Sequence, residues 1–87
     1  MARPFEVEAT VLHQGDIPDQ ATLKRAVENA GGRDLTIRDA DDFNELEVAF
    51  RLDAASEDDA FRLGQRIMAT VFSGFAHGDV SVTEPEA

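Results

Sequence analysis

The sequence predicts an α+β sandwich in the order βαββαβ: a four-stranded antiparallel sheet with two helices on one face. Three observations carry that expectation. Apolar and polar residues alternate in four stretches, around 5–12, 34–38, 45–53 and 80–82, and a period of two describes a strand with one face buried. Between the first and second stretches, and again between the third and fourth, the apolar spacing changes to the three-and-four pattern of a helix. The chain has 87 residues, 43% hydrophobic and 30% charged, which suits one globular domain and leaves no room for a second.

In Phe5-Glu6-Val7-Glu8-Ala9-Thr10-Val11-Leu12 the apolar positions 5, 7, 9 and 11 face a core. His13-Gln14-Gly15 reads as a turn, after which Asp16 can cap a helix that holds Pro18 in its first turn. Leu23, Ala26, Val27 and Ala30 form its apolar stripe, and Gly31-Gly32 ends it. Asp34-Leu35-Thr36-Ile37-Arg38 and Glu45–Asp53 form a hairpin around a turn-rich break, with Leu46, Val48, Phe50 and Leu52 inward. Ser56 caps a second helix running to about Phe72, and Glu57, Asp58 and Asp59 favour its dipole. Gly74 and Gly78 bracket a loop, and Val80 and Val82 mark the last strand. Two right-handed crossovers joined by a hairpin give a ferredoxin-like sandwich with strand order 4-1-3-2. Residues 1–4 and 84–87 are expected as flexible ends.

The charge excludes several functions. Eight Lys and Arg stand against 18 Asp and Glu, giving a net charge of −10, whereas binding a nucleic-acid backbone rests on Lys and Arg. With no Cys there is no disulfide framework, thiolate chemistry or Cys zinc site. No apolar stretch approaches the ~20 residues that span a bilayer, and no apolar signal region precedes Phe5, so a cytoplasmic protein with no membrane partner is expected. Gly15 and Gly31-Gly32 read as punctuation rather than a phosphate loop. Ser56 reads as a cap, and Ser73 and Ser81 have no base at a recognisable spacing. The residues lean away from an enzyme and call for no cofactor.

Two places remain for function. On the second helix Ala60, Leu63, Gly64, Ile67 and Val71 form one stripe with Phe61, Met68 and Phe72 beside it. Together they cover about 180° of the helix, where a surface helix needs about 100°. Either a larger core absorbs them, or Phe61, Met68, Phe72 and Phe75 form a contact surface. The second choice makes the chain a non-catalytic interaction or regulatory module, homodimeric or the small subunit of a complex. The other place is the sheet end that gathers the loops after the first strand and after the second helix. There His13, Asp16, His77 and Asp79 are candidates for a small ligand or a divalent metal. The open sheet face should carry Arg51 beside Glu6 and Glu8, and Arg38 beside Glu45 and Glu47.

Val11-Leu12-His13-Gln14-Gly15-Asp16-Ile17-Pro18, followed by a helix ending Ala30-Gly31-Gly32, is similar to the first strand–loop–helix of ACT-type regulatory domains. The similarity spans about 20 residues, and Asp19 stands where that family has a glycine. It implies a ferredoxin-like module that dimerises and binds small ligands at the loop-to-helix junction. No site residue is carried over from it.

Overall fold

The computed structural model of the chain describes residues 2–12, 19–39, 45–78 and 80–84. In chain order the elements are β1 (Arg3–Leu12), α1 (Gln20–Asn29), β2 (Arg33–Asp39), β3 (Glu45–Ala54), α2 (Glu57–Val71), β4 (Ala76–His77) and β5 (Ser81–Thr83). The result is a small α+β fold: one antiparallel sheet and two helices. The period-two residues of the long strands form the core with the helix stripes. Phe5, Val7, Ala9 and Val11 of β1 and Leu46, Val48, Phe50 and Leu52 of β3 are buried against Leu23 and Val27 of α1 and Ala60, Ile67 and Met68 of α2. Both helices therefore cover the same face.

The strand path is β2-β3-β1-β4, with β5 also paired to β1. The sheet thus has five strands where four in the order 4-1-3-2 were expected: two short segments share the edge beside β1. The register gives the reason. Val11 pairs with His77 and Leu12 with Ala76, whereas Glu8 pairs with Ser81 and Val7 with Val82. Three residues separate His77 from Ser81, but two separate Glu8 from Val11, so the edge carries one extra residue, a bulge. The Gly78 N–H donates to the Thr10 carbonyl within it, at 2.9 Å. The bulge shifts the period-two pattern by one, which puts His77 on the same side as Val80 and Val82. At the other end β1 begins earlier than expected, with Arg3 and Pro4 already paired to Ala54 and Asp53.

A second register shift lies between Arg33 and Thr36 on β2. Asp34 there has φ +56°, the left-handed region that Asp and Asn tolerate better than other side chains. A β-branched residue has no such tolerance. Asp34→Val is expected to lose about 1–3 kcal/mol, and Asp34→Asn to match the wild type in chemical denaturation.

Both helix starts follow from short polar side chains. Ser56 caps α2, accepting from the Asp59 N–H at 3.2 Å, with Glu57, Asp58 and Asp59 in the first turn. On α1 the cap is Asp19, not the expected Asp16, which lies outside the described residues. The Thr22 N–H donates to Asp19 Oδ1 at 2.7 Å, and that backbone hydrogen bond holds the carboxyl below its ordinary range. A folded-state value below the unfolded one stabilises the fold above the ordinary aspartate range and is lost as pH falls through the folded value. Asn caps equally well but does not titrate. Asp19→Asn is therefore expected to lose less melting temperature than the wild type between about pH 6 and about pH 3; equal losses would remove the cap's part in acid stability.

The end of α1 is a Schellman closure, in which Gly32 N–H reaches the Val27 carbonyl and Gly31 N–H the Glu28 carbonyl. Gly31 takes φ +106°. The chain therefore turns sharply from α1 into β2 and sets that strand at the sheet edge.

Candidate functional site

The open face of the sheet is held by cross-strand charge pairs. Arg38 Nη2 lies 3.0 Å from Glu47 Oε2, directly opposite it in the β2–β3 register. Arg51 Nη2 is 3.9 Å from Glu6 Oε2, again opposite, and Arg33 Nη2 is 3.0 Å from Asp53 Oδ1. The hydrogen bond to Asp53 raises the Arg33 pKa above its ordinary range. Among these pairs the small Ala49 sits between Glu8 and Thr36 and leaves a shallow depression of ≈ 620 Å³ lined by Glu6, Glu8, Thr10, Arg38, Glu47 and Ser81 among others. Its chemistry is that of exposed, paired charges: a surface for polar contacts.

The edge beside α1 is different. β2 pairs only with β3 among the described residues, and its inward residues Leu35 and Ile37 are half-buried rather than buried. The facing part of α1 presents Gln20, Ala21 and Lys24, so a groove of ≈ 430 Å³ opens between helix and strand along Leu35, Thr36 and Ile37. Helix α1 is short, ten residues, and its buried residues are Leu23 and Val27.

The expected contact stripe on α2 is largely core. Met68 is 0% exposed and Phe72 2% exposed, so within the single chain they are not surface residues. This corrects their assignment to an interface. The reason is placement: α2 packs on β1, β3 and β5 beneath and on α1 beside it, which covers Met68 and Phe72 but leaves Phe61 outside. Phe75 is half-buried against Phe72, ring centroids 6.5 Å apart and edge to face. Phe61 alone of the four is exposed, at 39%.

Of the expected ligand or metal residues, His13, Asp16 and Asp79 lie outside the described residues. His77 is exposed on β4, its Nδ1 3.4 Å from the Gly78 carbonyl. The β2 edge and its groove are not among the sites the sequence predicts. Their signal was present in the mixed pattern of β2, whose apolar residues are only Leu35 and Ile37, flanked by charges.

No protein-family model matches the chain. No curated protein matches it either. Among solved structures, the de novo designed protein Foldit4 superposes with a TM-score of 0.52 at 17% identity, over 97% of this chain and 100% of that one. At that identity the likeness carries the α+β fold and nothing about activity. No helix among the described residues is long and apolar enough to cross a membrane.

Proposed function

We propose that the chain is a ferredoxin-like interaction module that acts by self-association rather than by catalysis. The ferredoxin-like reading is supported by the element order, with β1 and β3 central and a helix following each. The observation that carries the functional reading is the unclosed margin of the core: Leu35 and Ile37, half-buried along the groove between α1 and the edge of β2, which pairs with no further strand among the described residues. A domain of this size buries a smaller share of its surface than a larger one does, and a second chain against that margin completes the burial. The hydrophobic term is the main favourable one in association.

Charge sets the conditions. Each copy carries −10, so two copies repel until salt shortens the screening distance to about 10 Å near 0.1 M. Sedimentation equilibrium from micromolar to millimolar protein is expected to show the 9.5 kDa chain passing to twice its mass, at lower concentration as salt rises. A single-chain mass at every concentration and salt level would overturn the reading.

A further inference from the structure

Resting on that reading, we infer that the groove between α1 and β2 receives Phe61 from a second copy of this chain, a head-to-tail contact between two different surfaces. The groove has an apolar lining of Ala21, Leu35 and Ile37, with Lys24 on its helix wall. Lys24 is exposed and forms no ion pair among the described residues. An occupant that matches this lining brings a large apolar side chain with a carboxylate beside it.

The chain carries such a group itself. Phe61 and Leu12 are the exposed large hydrophobics among the described residues, and Leu12 borders residues outside them. On a helix surface, residues three and four apart are neighbours, and those of Phe61 on α2 are Glu57, Asp58, Gly64 and Gln65. The two charged neighbours are both acidic and exposed, and neither forms an ion pair among the described residues. A buried aromatic ring is a common anchor of protein contacts, and opposite charges at its rim steer the approach and fix its orientation. Seating Phe61 in the groove covers the exposed ring of one copy and the half-buried Leu35 and Ile37 of the other. It also brings Lys24 to two carboxylates in chains whose net charges otherwise repel.

Backbone pairing does not compete at this margin. β2 is irregular between Arg33 and Thr36, where Asp34 has φ +56°, and a bulged edge is a poor template for a further strand. Recognition therefore falls to the side chains of the groove. Because ring and groove are different surfaces, each joined pair keeps one of each unused, and such a heterologous contact continues into a ring or an open chain.

Two variants separate the surfaces. Phe61→Ser removes the ring and keeps the groove. Ala21→Glu keeps the ring and fills the groove from an exposed position of α1, with its new carboxylate three residues from Lys24 and able to take up that charge. Each alone is expected to raise the Kd of self-association about ten-fold or more while keeping the circular dichroism of the wild type. Mixed in equal amounts, the two variants hold one intact groove and one intact ring between them. Sedimentation equilibrium should then show a 1:1 complex that stops at twice the chain mass, whereas the wild type grows past it. If either variant associates as the wild type does, ring or groove lies outside the contact, and this inference fails while the functional reading stands. If both lose association and the mixture does not recover it, ring and groove do not meet and the inference fails in the same way. A wild type that stops at a pair overturns the head-to-tail arrangement alone, and one that is monomeric throughout ends the functional reading itself.

Discussion

Phe72→Ala is expected to lower the unfolding free energy by about 3–5 kcal/mol, as truncation of a fully buried aromatic does. Phe61→Ala is expected to stay within about 0.5 kcal/mol of wild type. The two residues lie on adjoining apolar strips of one helix in the sequence, but the fold separates them. Phe72 caps α2, its N–H donating to the Met68 carbonyl at 2.9 Å, and its ring is buried in the common core with Phe75 edge-on against it. Removing it takes away apolar burial and leaves a void that the sheet beneath cannot fill. A domain of this size has a total stability of roughly 5–10 kcal/mol, so the variant sits close to the unfolding threshold. Urea denaturation of both variants checks the contrast. Equal losses would mean that Phe61 is as much core as Phe72.

The second large effect is at Gly64→Val, expected to lose about 3 kcal/mol through overpacking. A helix interior normally gains from replacing glycine, by about 1 kcal/mol for alanine. Here the gain is outweighed, because even a Cβ at this position would lie 3.0 and 3.2 Å from the two methyls of Val7 and 3.4 Å from Val80. Val7 is fully buried and stiff at χ1, so it cannot swing aside. Gly64 is thus the point where α2 rests on β1 and beside β5. Val7→Ala alone should cost a few kcal/mol as a cavity. In the double variant Gly64→Val/Val7→Ala the added methyls occupy the space removed, and its loss should be smaller than the sum of the single losses by about 0.5–3 kcal/mol. Additive losses would show that the close approach is not what glycine serves.

Much of the architecture was legible in the chain because it rests on local rules. Alternation at 5–11 and 46–52 placed the inward residues of β1 and β3, and all eight of them are buried. Ser56 with its three acids marked the start of α2, and Gly31-Gly32 marked the end of α1. The charge pairs Arg51–Glu6 and Arg38–Glu47 follow from period and register together. Where two local signals competed the reading slipped. Asp16 and Asp19 are both competent caps, and the choice falls to whichever carboxylate meets an unpaired N–H, here Thr22.

The sequence by itself determined the elements, their inward faces and the polar character of the open sheet, since each depends on neighbours a few residues apart. Tertiary structure alone decided how many strands the last edge holds, because a one-residue bulge leaves the alternation of a short segment ambiguous. It also decided that Met68 and Phe72 are core, since the width of a helix's apolar arc does not say whether a sheet or a partner will cover it. And it decided that β2 lies outermost among the described residues, with Leu35 and Ile37 half-closed, because which strand lies outermost is a property of pairing between distant segments and is written in none of them singly.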